Sequence, residues 1–263
     1  MATDHATATA TSISIEHHAD YVMRLANTLL VLGHRLSEWT GQAPVLEEEL
    51  ALANMGLDIL GQSRTLLQHA GRLEGKGRDE DALAFRREAT EFRNHLLAEQ
   101  PNGDFAVTMI RQLMLSLWFA ELWPKLAASS DAVIAGMAAK ADKETAYHVR
   151  HASEWVIRLG DGTAESHARA QAALTSLWRY TAELFEHDAI DEVALAAGIG
   201  ADARALKPAW DRALDEILTE ATLTRPKDAW MQTGGRRGQH TEHLSHMLGV
   251  MQSLHRAHPG AIW

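Results

Sequence analysis

The chain contains no cysteine, and this absence excludes disulfide bridges, thiolate metal sites and cysteine nucleophiles. It has only 6 prolines in 263 residues, and together with abundant alanine and leucine this favours an all-helical fold. No apolar run approaches the ~20 residues that a membrane-spanning helix needs. The N-terminal stretch lacks the apolar core of a secretory signal, so we expect a cytoplasmic protein with no membrane partner.

Positive charge is also scarce. The 25 lysines and arginines are outnumbered by 35 aspartates and glutamates, which gives a net charge of -10. This balance disfavours a broad nucleic-acid surface. What the chain does have is 46% hydrophobic residues, enough for one large core, and 15 histidines, which raise a metal hypothesis.

Apolar residues recur with a helical period in several long segments. Residues 45–73 are predicted to form an amphipathic helix whose inward stripe is Leu46, Leu50, Ala53, Leu57, Leu60 and Leu67. Long helices are also predicted over 16–39, 104–128 and 131–159, with Pro124 expected to kink or end the third. Further helices are predicted over 79–99 (charged, on the surface), 164–187, 204–221 and 239–256, with a short Asp/Glu-capped segment around 188–197.

Four long helices in two hairpins are typical of a ferritin-like four-helix bundle. We therefore predict an all-α fold of this type with additional C-terminal helices. The Ala/Thr/Ser-rich residues 1–15 are predicted to be a disordered tail, and 16–263 a single domain.

A carboxylate-bridged di-iron bundle takes one Glu from each of two helices and a Glu-x-x-His pair from each of the other two. The spacing of three residues puts both ligands on one helix face. No Asp or Glu in this chain is followed by a His three residues later. The corresponding places are Asp58 and Gly61 on the second long helix, and Thr145 and His148 on the fourth.

Several segments resemble the structural C subunits of multicomponent phenylacetyl-CoA epoxidases from bacterial phenylacetate catabolism. The resemblance runs from about residue 21 to the end of the chain. The segments that carry it are LVLGHRLSEWTGQAP, ALANMGLDILGQSRTLL, EQPNGDFA, KETAYHVRHASEWVIRLGDGT, LWRYTAELFE and, most specifically, TGGRRGQHTEHLSHMLGVMQ.

The resemblance implies a ferritin-like paralogue of the catalytic, di-iron A subunit that has lost metal binding and supports that subunit in a complex. No catalytic residue, metal or cofactor is then expected in this chain. The di-iron centre belongs to the partner, and electrons come from a separate reductase. The degenerate ligand positions implied are Glu38, Asp58, Gly61, Ser116, Thr145 and His148.

Two histidine clusters have two interpretations each. Glu144, His148 and His151 share a face of the fourth long helix, as a metal or proton-relay site or as a buried carboxylate–imidazole network. A second cluster could bind zinc, or serve capping, packing or contact with another chain. Its members are His240, Glu242, His243 and His246.

Arg236 and Arg237 lie in a Gly-rich segment just before the last predicted helix. Exposed backbone N–H groups and two guanidinium groups could hold an anion such as a CoA phosphate, or the segment could order against another subunit.

The sequence thus favours a non-catalytic structural subunit that binds and stabilises the catalytic subunit of a phenylacetyl-CoA ring-epoxidising complex. One alternative is a CoA-ester binding protein with a pocket at the vacated bundle centre. The other is an independent ferritin-like metalloenzyme using Glu38, Asp58, Glu144 and His148.

Overall fold

The computed structural model describes residues 13–259 and residue 261. This part of the chain forms α-helices and short 3-10 turns, without strands. The helices are α1 (Ile15–Ser37), α2 (Leu46–Glu74), α3 (Glu80–Phe85), α4 (Leu96–Glu99), α5 (Phe105–Leu126), α6 (Ala132–Gly160), α7 (Ala164–Trp178), α8 (Ala189–Ala196), α9 (Lys207–Glu220), α10 (Glu242–Met251) and α11 (Ser253–Ala257). Most of the tail predicted over 1–15 lies outside the described residues, and Ile15 already begins α1.

The four long helices pack as two hairpins, α1 along α2 and α5 along α6, and α2 also packs against α6. Helix α7 lies against α5, and α9 lies against both α5 and α6. The predicted all-α four-helix bundle with additional C-terminal helices is confirmed. Asp104 and Asp131 begin α5 and α6 by accepting hydrogen bonds from backbone N–H groups of the first turn.

The buried stripe of α2 differs from the predicted one. Leu46, Leu50 and Leu57 are 67%, 56% and 68% exposed. The inward-facing apolar residues are instead Leu52, Met55, Ile59, Leu66, Leu67 and Ala70. Apolar residues occupy two faces of α2, and a helical period does not tell which face meets the core. Val45, Leu46, Leu50 and Leu57 together form an exposed apolar row, here named the α2 stripe.

Residues 79–99 are not the predicted surface helix. After α3 the chain makes a 3-10 turn and an extended stretch before the single turn of α4. The Arg87 guanidinium is buried and donates to the Leu83 and Glu91 carbonyl oxygens and, at 2.5 Å, to Asn27 Oδ1. A charged side chain thus bonds inward to backbone and α1, which charge patterning alone did not predict.

Helix α5 continues through Pro124 to Leu126, so the proline lies in the last turn and does not shorten the helix as predicted. Among the described residues, α5 alone is long and apolar enough to cross a membrane by length and composition. Its most apolar window is 78% buried by the rest of the fold, as expected for the core helix of a bundle.

Candidate functional site

The centre of the bundle is where α2 faces α6. His148 Nε2 lies 3.2 Å from Asp58 Oδ2, with the imidazole 3% exposed and the carboxylate 37% exposed. Burial lowers the pKa of His148, and the hydrogen bond to Asp58 only partly opposes that shift. The pair is therefore an imidazole held by one partly exposed carboxylate between α2 and α6.

The inward register of α2 is one residue away from the predicted one. Gly61 is exposed, and a Cβ built there would meet no atom within 4 Å, so this position points to solvent. Ile59 and Gln62 are buried instead, and Gln62 Nε2 donates to Glu144 Oε2 at 2.9 Å. The spacing of three that would carry Glu and His is thus occupied by an aliphatic side chain and an amide.

The positions predicted on α5 and α6 do face the interior, but their hydroxyl groups have protein partners. Ser116 Oγ accepts from Gln112 Nε2 at 3.0 Å, and Thr145 Oγ1 accepts from Trp123 Nε1 at 3.0 Å. Both hydroxyl residues are buried. These neutral hydroxyl groups do not supply the carboxylates that an iron pair needs.

Glu38 does not join this layer. It is the C-cap residue of α1, and its side chain is 41% exposed. Its carboxylate accepts from Arg35 Nη1 at 2.8 Å and from Asn102 Nδ2 at 3.1 Å. The structure therefore places the predicted first-helix ligand in an ion pair at the end of the helix, and does not bring it to Asp58 or His148.

These residues do not fit a di-iron centre. Over residues 13–259 and 261, only one group of three His, Asp or Glu side chains converges closely enough to hold an ion, and it lies away from this layer. Its members, His18, His69 and Asp131, were missed by sequence inspection because they come from three separate helix ends with no local spacing motif. An independent metalloenzyme would require a convergent ligand set, and these residues do not provide one.

The histidines of α6 make carboxylate–imidazole pairs with α2. His151 Nε2 lies 2.9 Å from Glu48 Oε2, and both side chains are largely buried. Glu144 instead accepts from Gln62 and pairs with Lys140 Nζ at 3.1 Å. Carboxylate–imidazole pairs of the predicted kind are present, but their carboxylates come from α2, and Glu144 is not hydrogen-bonded to either imidazole. The pairs tie the two helices together.

The arginines of the segment 233–238 are already neutralised. Arg236 is buried, and its guanidinium lies 2.5 Å from Asp191 Oδ1 and 2.9 Å from the Glu186 carbonyl oxygen. Arg237 is half-exposed and pairs with Glu186 Oε2 at 3.2 Å. Arg236 is therefore not free for an external anion, which corrects the CoA-phosphate interpretation for this residue.

The backbone N–H groups of the same segment also have an internal anion. Gly234 N and Gly235 N donate to Glu183 Oε1 at 2.8 and 2.7 Å, and Leu96 N donates to Glu183 Oε2 at 2.6 Å. Burial, together with the nearby Glu186 carboxylate, raises the pKa of Glu183 in spite of these three donors. The segment is ordered by its own chain.

The histidine cluster at the start of α10 uses one of its members, His240, for packing. His240 Nδ1 lies 2.7 Å from Glu99 Oε2, and His240 Nε2 lies 3.0 Å from the Phe92 carbonyl oxygen. Thr241 N donates to Glu99 Oε1 at 2.7 Å. The fully buried Glu99 thus fixes the start of α10, and the zinc interpretation of this cluster has no support in the described residues.

A small cavity lies between α1 and the C-terminal helices, with a volume of about 30 Å³. It is lined by the side chains of three residues with buried, unpartnered nitrogen atoms, namely Arg24 Nε, His95 Nε2 and Arg236 Nε. This volume suits one water molecule, whereas ligand pockets are of the order of 300 Å³ or more. The cavity does not fit a CoA ester.

Comparison with known proteins agrees with the motifs in the sequence. The family model described as phenylacetic acid catabolic protein matches residues 1–263. The C subunit of the 1,2-phenylacetyl-CoA epoxidase of Escherichia coli (strain K12) is 48% identical over 243 residues, which cover 92% of this chain and 98% of that protein. The resemblance drawn from the sequence is confirmed, and with it the ferritin-like character of the bundle. The chain belongs to the family of phenylacetic acid catabolic proteins.

Proposed function

We propose that this chain is a non-catalytic structural subunit of a phenylacetyl-CoA ring-epoxidising oxygenase complex. In this role it binds and stabilises a homologous catalytic subunit, which carries the di-iron centre. The relative's name supplies the substrate, the reaction and the existence of further subunits. The cytoplasm is the compartment that we propose for the complex, with a reductase acting on the catalytic subunit.

One observation carries the proposal: the layer where iron ligands would converge is filled by groups that cannot hold two irons. Ile59 is aliphatic, Gln62 is an amide, and Ser116 and Thr145 are hydroxyls with protein donors. His148 and Asp58 keep ligand types, but they form a single imidazole–carboxylate pair. A protein with the fold but without the ligands fits a supporting role.

The α2 stripe is the surface that we assign to the catalytic subunit. Its four side chains are 51% to 68% exposed; the three leucines lie along one face of α2, and Val45 is the N-cap residue of that helix. Burying a leucine contributes about 1.5–3 kcal/mol, so such a row can supply the apolar centre of an interface. A contact along α2 would hold a partner helix in place and thereby fix the geometry of the partner's iron ligands.

Co-expression with the catalytic subunit of the same organism tests the role. We expect the two chains to co-purify when only the catalytic chain carries the affinity tag. We also expect di-iron absorption to follow the catalytic chain and to be absent from the isolated protein. An iron pair held by the isolated chain would contradict the proposal.

Paired substitutions on α2 test the surface. In Leu50→Glu combined with Leu57→Glu, both sites are exposed, so the stability of the isolated chain should change by less than about 0.5 kcal/mol per site. Co-purification with the catalytic subunit should be lost, since two carboxylates would be buried without partners. The matched control is Val250→Glu on α10, where valine is 80% exposed. Undiminished co-purification of the α2 variant, or equal loss in the control, would remove the α2 stripe as the contact.

A further inference from the structure

Three side chains from separate helices meet at one end of the bundle. His18 lies in the first turn of α1, His69 in the last third of α2, and Asp131 caps α6. His18 Nε2 and His69 Nε2 lie 2.8 and 2.6 Å from the same Asp131 Oδ2 atom. The three side chains are 17%, 12% and 6% exposed.

The orientation of the Asp131 carboxylate is fixed by backbone N–H groups of α6. Asp131 Oδ1 accepts from Val133 N at 2.8 Å and Ile134 N at 3.0 Å, which leaves Oδ2 to the imidazoles. The two rings are nearly perpendicular, at 82°, with their centres 5.7 Å apart. Two imidazole nitrogens therefore converge on one carboxylate oxygen from different directions, which brings three ligand atoms of separate helices together.

We propose that His18, His69 and Asp131 form a structural binding site for one first-row divalent metal ion, with zinc as the preferred occupant. Two neutral imidazoles and one carboxylate are a ligand set that zinc takes in proteins, with water completing four-coordination. The ligand atoms lie within 4.8 Å of one another. Zinc–ligand bonds of about 2.0–2.2 Å would place these atoms about 3.4 Å apart, so small side-chain movements suffice.

The position of the carboxylate agrees with this role. Asp131 stands at the N-terminus of α6, where the helix dipole and two backbone N–H donors stabilise negative charge. The site joins α1, α2 and α6, three of the four bundle helices, and its low exposure suits a structural ion.

The site is separate from the bundle centre, where the chain has lost its iron ligands. It departs from the expectation that this chain binds no metal, but it requires no iron pair and does not depend on the proposed function. Magnesium is a poor candidate, because it prefers six oxygen ligands.

Zinc titration of the full chain, free of any histidine tag and stripped by a chelator, tests the site. Competition with a chromophoric chelator should give one zinc per chain. His18→Ala and His69→Ala should each weaken binding by at least about 100-fold, the upper range for losing even an outer contact of a metal ligand. His246→Ala, an exposed histidine on α10, and His148→Ala at the bundle centre should bind zinc as the natural chain does.

The variant Asp131→Asn separates loss of metal binding from loss of folding. Asparagine can keep the cap to Val133 and Ile134 while removing the charge that the metal needs. It should retain the melting temperature measured in chelator but lose the rise in melting temperature that zinc gives the natural chain. Failure of the natural chain to bind one equivalent would overturn the proposal. So would unchanged affinity in both alanine variants, or loss of zinc only in His148→Ala.

Discussion

The centre and the end of the bundle contain the same kinds of side chain but arrange them differently. At the centre, His148 meets one carboxylate, Asp58, which is 37% exposed. At the end, two imidazoles meet Asp131, which is 6% exposed and held by two backbone N–H groups. The difference shows that side chains of the same types converge at the end of the bundle, where a buried carboxylate is fixed by the backbone, and do not converge at the centre.

The largest effect on stability is expected from placing a carboxylate at the centre of the bundle. Ile59→Glu should lower the free energy of unfolding by about 4 kcal/mol, because a buried charge would have no partner there. Urea unfolding measures it. Ile59→Leu and Asp58→Glu are the controls, and each should cost less than about 1.5 kcal/mol. A mild effect of Ile59→Glu would mean that position 59 does not face the core.

Removing the carboxylate at each place compares the two directly. In the presence of a chelator, Asp131→Ala should cost about 3 kcal/mol, from one lost helix cap and two imidazole hydrogen bonds at about 1 kcal/mol each. Asp58→Ala should cost less than about 1 kcal/mol, since it removes one partly exposed hydrogen bond. If urea unfolding showed the same loss of stability in both variants, the carboxylates at the centre and at the end of the bundle would not differ in their contribution.

A buried imidazole that is not paired with a carboxylate makes the stability of the chain depend on pH. Burial lowers the pKa of His34, which packs edge-on against Phe85, to about 4. The folded state then binds fewer protons than the unfolded state below about pH 6.5, so stability falls as pH falls through this window. Asp131, whose pKa is lowered, loses its contribution only at pH below its unfolded value of about 3.9.

His34 should therefore account for about 2 kcal/mol of the stability lost between about pH 7 and pH 5. The variant His34→Gln should lose that much less than the natural chain when urea unfolding is measured at both pH values. His246→Gln, at an exposed site, should keep the full pH dependence. An unchanged loss in His34→Gln would show that this imidazole is not buried in its neutral form.

The smallest effect tests the corrected register of α2. Gly61→Ala should raise the free energy of unfolding by about 0.5–1 kcal/mol, since alanine favours a helix and the new methyl group meets no atom within 4 Å. Gly160→Ala is the contrast, because its Cβ would clash with the Ala221 carbonyl oxygen and should destabilise the chain. If Gly61→Ala were destabilising as well, position 61 would face the core.

Sequence alone predicted the long helices closely. The segments predicted over 45–73 and 131–159 are observed as Leu46–Glu74 and Ala132–Gly160. Length, helical period and flanking breakers are local properties, so these elements could be predicted without tertiary information. The family could also be identified, because its motifs are local.

What sequence could not supply was the phase of each helix and the long-range polar contacts. Leu50 and Leu57 follow the same period as Ile59, yet only Ile59 faces the core. Arg87 and Glu99 look like surface charges in a helical pattern, yet both are buried against groups distant in the chain. Burial of a charge is decided by its partners, and the partners are set by the fold.

The hydrogen bonds of Glu99 and Glu183 affect the order in which the chain can fold during synthesis. Among their donors are Gly234, Gly235 and Thr241, which leave the ribosome after nearly all of the bundle. A nascent chain that has not yet reached these residues contains two acidic side chains that lack the hydrogen-bond donors of that segment. Residues 234–241 therefore complete these buried polar contacts, and truncation just ahead of them should lower the stability of the bundle.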